Sequence, residues 1–345
     1  MINYSIPLKW NKQFIDKILS IESKDSSIES FYGCIENLGY RSGRIYLKNQ
    51  DISIAEALKT IKYLKSKGKV FYYLLNAPVV NTIENIYQVK EMIKIIINEL
   101  KPDALVITSP QIMDIVRMIN SEIRIHVSTI AGIKTVEQAK QFMQYEPARI
   151  VPHHDTPKYS NLLIKLKRYC DSLNIELELM VTESCIMSCK ERESHYKSLA
   201  EGKSDRKFHN FCRAERLKNP SLLLSAGSFI PPEEVKHFKT HYDINKFKIT
   251  GRSKSVNFLI NAATSYLHNK SPDNIVSIMG IDPLVKAEKW IYIKFSSLLG
   301  MHQELYDNQN SSNELIYEKY YKKAMKHRWI QILEIPEDVK KRLST

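Results

Sequence analysis

The chain alternates between two kinds of segment. Short runs of β-branched and aliphatic residues are separated by longer, lysine-studded stretches whose apolar residues recur three and four apart. The first pattern is that of a strand buried on both faces, the second that of an amphipathic helix. The expected strands are Glu29–Ile35, Lys69–Asn76, Ala104–Ser109, Ile123–Thr129, Ala148–Pro152, Ile175–Val181, Ser221–Ala226 and Lys246–Thr250. Between them IAEALKTIKYLKSKG, IENIYQVKEMIKIIINEL, TVEQAKQFMQY and YSNLLIKLKRYCDSL read as helices, and SVNFLINAATSYLHNK follows the last run as a closing helix. An additional helix is expected around Asn11–Ile21. Pro102 ends the helix before it, because proline cannot continue one.

Strands alternating with helices imply parallel pairing through right-handed crossovers, and eight strands close a TIM-like (β/α)₈ barrel. An open doubly wound sheet is the alternative. The chemistry-capable residues decide between them. They fall at the C-terminal ends of the runs: Cys34, Asn76, Ser109, Ser128-Thr129, His153-His154-Asp155, Glu183 with Cys185, Ser225, and Gly251-Arg252. A barrel gathers those ends on one face, whereas an open sheet strings them along a line. No glycine-rich dinucleotide fingerprint follows the first run. The expected organisation is a barrel over residues 1–270, complete or distorted, with a cysteine-rich insertion at 183–216, then a C-terminal extension at 271–345. That extension carries a helix, ELIYEKYYKKAMKHRWIQIL, and reads as a cap or a protein-partner surface. Its stripe Tyr317, Tyr320, Tyr321 and Ala324 is first a packing face and second a docking face.

Composition narrows the setting. At 345 residues and 43% hydrophobic, the chain can bury a large core, and every apolar run is too short or too interrupted by charge to span a bilayer. Five cysteines, an odd number with three clustered, argue against a disulfide framework and for a reducing cytoplasm. The net charge of +13 leaves RNA open as a substrate, although the excess is mostly lysine spread along the whole chain.

The cysteines carry the sharpest signal. Cys185 and Cys189 form a C-x₃-C pair and Cys212 follows 23 residues later, on polar sequence after a strand. Thiolates match zinc or iron–sulfur clusters. The radical-SAM spacing C-x₃-C-x₂-C fails, since its third position is Arg192. A [4Fe–4S] cluster on three near cysteines and a distant fourth is the expected cofactor, with zinc as the alternative; Cys34, His195 or substrate could complete the set. Cys170 sits on a helix as a packing residue.

With these residues in place, the sequence resembles family 32 of the unknown-mechanism peptidases, the collagenase-like peptidases. The carriers are NFCRAER after CIMSC, then SFIPPEEV, then KFKITGRSKS with Tyr266 in the next helix. Ser128 and Thr129 in HVSTIAG fit the family's pattern, and the run FYG…GYRSGR, Tyr72-Tyr73-Leu74-Leu75-Asn76 and the pair Cys185 and Cys189 followed by His195 are similar to one iron–sulfur branch of it. The resemblance covers roughly residues 28–270. It implies a cluster-binding barrel related to oxygen-independent hydroxylases of RNA or ubiquinone precursors, some using prephenate as co-substrate. Where the family carries another cysteine, four residues before Cys-Arg, this chain has Phe208.

Beside the cluster, His153, His154, Asp155 and Glu183 are the catalytic candidates: imidazole moves protons near neutrality and a carboxylate orients it. Arg44, Asn76, Arg213 and Arg252 are the substrate-binding candidates, because guanidinium groups grip carboxylates or phosphates bidentately. Neither G-x-S-x-G nor H-E-x-x-H occurs. The expected function is an iron–sulfur hydroxylase or related redox enzyme acting on a small molecule, peptide or RNA. A peptide hydrolase and a non-catalytic iron–sulfur partner subunit are the alternatives.

Overall fold

The computed structural model describes residues 1–38, 42–43, 51–78, 86–280, 289–308 and 313–334. Eight parallel strands close into a barrel in chain order: β1 (Ile2–Pro7), β2 (Ser26–Gly33), β3 (Val70–Leu75), β4 (Ala104–Ile107), β5 (Ile125–Val127), β6 (Arg149–Ile150), β7 (Glu176–Met180) and β8 (Lys246–Lys248). Closure is complete, because β8 pairs with both β7 and β1.

Strand count agrees with expectation, but two assignments change. Ile2–Pro7 is the first strand, with Ile2, Tyr4 and Ile6 buried. Ser221–Ala226 is no strand: Pro220–Leu223 forms a 3₁₀ turn. A short apolar run satisfies a buried turn as well as a strand, and periodicity alone cannot separate them. The cysteine segment therefore follows the seventh strand.

Helices α1 (Lys12–Leu19), α2 (Ile54–Ser66), α3 (Ile86–Ile95), α4 (Pro110–Ile119), α5 (Val136–Lys140) and α6 (Ser160–Ser172) follow the first six strands in turn. Their boundaries have local causes. Asn11 caps α1 through its side chain, Ser53 and Glu56 form a capping box on α2, and Pro110 opens α4. After β7 come α7 (Arg192–Ala200), α8 (Arg206–Lys218) and α9 (Val235–Tyr242), and α10 (Val256–Leu267) follows β8.

The lumen is not purely apolar. Arg149 on β6, 1% exposed, reaches across to Glu29 on β2 at 3.3 Å and pairs with Glu176 at 2.6 Å and Glu178 at 3.1 Å on β7. Lys246 pairs with the same Glu29, and Ser5 donates to Glu178. Arg149, Glu176 and Lys246 each open their strand, so the charged part of this network lies at the barrel floor and leaves the opposite mouth for chemistry.

The extension builds a two-stranded antiparallel sheet from β9 (Lys289–Ile293) and β10 (Ile330–Glu334), with α11 (Met301–Asp307) and α12 (Asn313–Lys326) between them. Ile316, Tyr317, Tyr320 and Ala324 of α12 are buried. Beneath α11, the Lys158 ammonium lies 2.8 Å from His302 Nε2, and His302 Nδ1 lies 3.7 Å from Glu234. Among the described residues, no helix is long and apolar enough to cross a membrane.

Candidate functional site

Cys185 and Cys189 lie on the turn that leaves β7. Ser188 between them adopts the left-handed region (φ 53°), which points its N–H at Asp155 Oδ2, 3.0 Å away. Arg192, in the first turn of α7, organises this loop. Its Nε donates to Cys185 Sγ at 3.2 Å, its Nη2 to the Ile186 carbonyl at 2.7 Å and to Asp155 Oδ1 at 2.9 Å, and its Nη1 to Asp155 Oδ2 at 3.2 Å. Nη1 also meets His153 Nε2 at 2.7 Å. The residue that breaks the radical-SAM spacing is thus the one that ties the cysteine loop to the end of β6.

Cys212 arrives from α8. Asp205, His209, Cys212 and Arg216 are spaced four, three and four apart, so they share one face of that helix. Arg216 Nη2 donates to the Ser184 carbonyl at 2.6 Å, anchoring the helix to the loop. Its Nε is buried and has no hydrogen-bond partner among the described residues.

Ionisation at the thiols follows from these contacts. The hydrogen bond between Cys185 and Cys189 holds Cys185 protonated and pulls Cys189 down to about 6. Burial raises Cys212, against the pull of Arg216. Cys34 is held separately. Arg252 Nη1 donates to its sulfur at 2.6 Å, the thiol donates to Glu36 at 3.1 Å, and burial pushes it up to about 12.

A pocket opens at the barrel mouth. Its polar wall is Asn76, Ser128, Thr129, His154, Glu183, Tyr196, Lys248, Thr250 and Arg252, and its apolar wall includes Tyr32, Leu74, Ile130, Val151 and Met180. Glu183 also lies near enough to Cys185 and Cys212 to oppose their ionisation, so pocket and sulfurs share a wall. Such a mixed lining suits a small polar group with an apolar body.

The histidine pair divides its labour. His154 faces the pocket, with Nε2 2.7 Å from the Tyr196 hydroxyl. His153 faces Arg192 instead; burial lowers it to about 4, so it stays neutral and accepts the guanidinium hydrogen bond. Gly227 lies close against the backbone of this segment. A Cβ there would sit 2.6 Å from Asp155 Cα and closer still to the His154 carbonyl, which accepts from Ser228 Oγ at 2.8 Å. The expected strand Ser221–Ala226 thus leads into a clasp on this segment.

Among the other candidates, Asn76 lines the pocket and accepts from the Gly43 N–H at 3.3 Å. Arg252 lines it too, with its fork engaged by Cys34, Ser42 and Glu36. Arg213 donates to Asn210 at 3.2 Å on the outer side of α8 and is not among the pocket's lining residues. Arg44 lies outside the described residues. Sequence reading did not single out Tyr196, Arg216 or Lys248. Tyr196 carried a usable signal: it stands four residues after Arg192, on the same helix face.

Comparison with known proteins finds a family and several similar chains. The model of peptidase family U32 matches residues 25–271. An uncharacterised protease of Methanocaldococcus jannaschii is 22% identical over 276 residues, covering 77% of this chain and 80% of its own. Among solved structures, the U32 peptidase Mk0906 aligns at 15% identity with a TM-score of 0.45, over 59% of this chain and 79% of its own. A phosphoribosyl anthranilate isomerase aligns at 11% identity and 0.44, over 78% and 98%.

Proposed function

Since this chain belongs to peptidase family U32, we propose that it is an enzyme that holds an iron–sulfur cluster on Cys185, Cys189 and Cys212. The cluster would serve oxygen-independent hydroxylation, or a related redox modification, of a small molecule or peptide seated in the adjoining pocket.

The observation that carries this reading is the convergence of three sulfurs with two buried arginines. Soft thiolates select soft metals, and a [4Fe–4S] cluster on thiolates is an anion. Arg192 Nε on Cys185, and the buried Arg216 Nε beside Cys212, are the donors such an anion needs. The donor set fits the group. When bound, a cluster supplies one-electron chemistry and, at an iron without a protein ligand, a Lewis acid for a substrate oxygen.

The chain's own residues supply the rest. Lys248 gives the pocket positive charge for a carboxylate, as a dicarboxylate co-substrate such as prephenate would carry, beside an Arg252 whose fork is held by Glu36. The Tyr196 hydroxyl and His154 Nε2 form a hydrogen-bonded pair able to pass a proton at the pocket wall. Glu183 stands between pocket and sulfurs as an orienting carboxylate. The deciding experiment is anaerobic purification of the wild type beside Cys34→Ala and Cys212→Ala, measuring iron, acid-labile sulfide and visible absorption. A brown wild type and a pale Cys212→Ala are expected, and the Cys34→Ala result tells whether that thiol is a fourth ligand. Colourless wild type without iron after anaerobic reconstitution would sink the reading.

The archaeal relative's designation as a protease favours a second reading, a peptide hydrolase. It predicts peptide cleavage that survives Cys212→Ala, with zinc as any metal found.

A further inference from the structure

Helices α7 and α8 project the chemistry of the site, yet little apolar packing holds them. The buried residues of α7 are Arg192, Leu199 and Ala200, and those of α8 are Phe208 and Arg216. Helices of nine and thirteen residues owe most of their stability to an apolar face packed on something else, and this pair contributes three buried apolar side chains to that task. Cys212, Arg192 and Tyr196 all depend on the pair for their positions.

We propose that His195, Asp205 and His209 form a second metal site, a three-ligand seat for a divalent ion of the zinc class that clamps α7 to α8. Asp205, at the N-cap of α8, and His209, in its first turn, stand four residues apart, and His195 faces them from α7. Asp205 Oδ2 lies 2.7 Å from His209 Nε2 and 4.0 Å from His195 Nε2, and one donor atom from each residue falls within a 4.8 Å sphere of separation. Zinc bonds of 2.0–2.1 Å in a tetrahedron set neighbouring ligand atoms about 3.3 Å apart. The observed separations bracket that spacing, so small side-chain rotations seat the ion. The His195 ring is already oriented, stacked on Phe208 at 4.7 Å between centroids and 20° between planes.

The donor set names the metal class. Two imidazoles and one carboxylate suit a first-row divalent ion such as zinc or iron(II); magnesium and calcium take oxygen ligands, and clusters take sulfur. A fourth position remains for water, and the His209 side chain, 46% exposed, gives the ion a way in. The site does not draw on the cysteines. It would act on them at one remove: fixing His195 fixes its neighbour Tyr196, and fixing α8 fixes Cys212.

The test uses the full-length chain with Zn²⁺ and Co²⁺ as probes. We expect Co²⁺ to bind with a ligand-field spectrum lacking a sulfur-to-cobalt charge-transfer band, and Zn²⁺ to displace it. His209→Gln removes a half-exposed ligand without emptying a core. It should weaken Zn²⁺ binding roughly tenfold or more and abolish the rise in melting temperature that Zn²⁺ gives the wild type. Asp205→Asn should do the same. The proposal is overturned if both variants bind Zn²⁺ as tightly as the wild type, or if all bound cobalt carries the sulfur band. Acid-labile sulfide and the visible cluster absorption after anaerobic reconstitution report on the cysteines separately, so loss of one reading leaves the other standing.

Discussion

Arg192 and Asp155 face each other fork to fork, two guanidinium nitrogens against both carboxylate oxygens at 2.9 and 3.2 Å, with Asp155 1% exposed. This pair joins the end of β6 to the start of α7. Bidentate pairing of this kind is a contact that lysine cannot reproduce. Arg192→Ala strands a buried carboxylate and should cost about 3–5 kcal/mol of unfolding free energy. Arg192→Lys should fall between that variant and the wild type. Urea denaturation measures both, and a loss under about 1 kcal/mol for Arg192→Ala would show the pair to be dispensable.

Gly227 is irreplaceable for a steric reason. Gly227→Ala drives a methyl group into the backbone of His154 and Asp155, and backbone cannot rotate away as a side chain does. A destabilisation of about 1–3 kcal/mol is expected, with the His154–Tyr196 hydrogen bond disturbed. Ser228→Ala, which removes only the hydroxyl donor to the His154 carbonyl, should cost about 1 kcal/mol. Equal effects from the two variants would contradict the steric account.

Acid should loosen the fold by way of its buried bases. Burial lowers His302 and His153 from 6.5 to about 4, and Lys158 from 10.5 to about 7. Each binds fewer protons folded than unfolded, so stability rises with pH across each interval between the folded and unfolded values. Melting temperature should therefore climb from pH 4 to 6.5 and again from 7 to 9, above which the buried thiols of Cys34 and Cys170, raised from 9.0 to about 12, act in the opposite sense. Lys158→Met should flatten the upper climb and leave the lower one. An identical climb between pH 7 and 9 in Lys158→Met and the wild type would refute the assignment to Lys158.

On the barrel floor, Arg149→Met leaves Glu178, 2% exposed, without its cation. We expect a loss of about 3–5 kcal/mol, with part of it recovered when Glu178 is also replaced by Met, since an apolar pair avoids the desolvation that a lone buried charge suffers. No recovery in the double variant would place the cost in packing rather than charge.

The barrel was legible because its strands and helices differ in period, and the polar ends of the strands pointed to one mouth. Ile2–Pro7 escaped notice because Asn3 and Ser5 dilute its apolar signal, and Ser5 is polar for a reason visible only in three dimensions: it bonds Glu178 across the lumen. Ser221–Ala226 misled because a four-residue turn can be as apolar as a strand. Cysteine spacing brought out the sulfur set, whereas the partners that organise it could not be read. Arg192 meets Asp155 across 37 residues and Arg216 meets Ser184 across 32, separations that no local pattern encodes.

The ladder that seals the barrel joins Asn3 to Lys246, nearly the two ends of the cylinder's sequence. Closing so long a loop costs entropy that local contacts cannot offset in advance. In a chain made from its N-terminus, the first strand waits for the eighth, and every cysteine named here has emerged before the cylinder can shut. All five cysteines are therefore outside the ribosome before the last strand can seal the cylinder, and that order is a property of this topology.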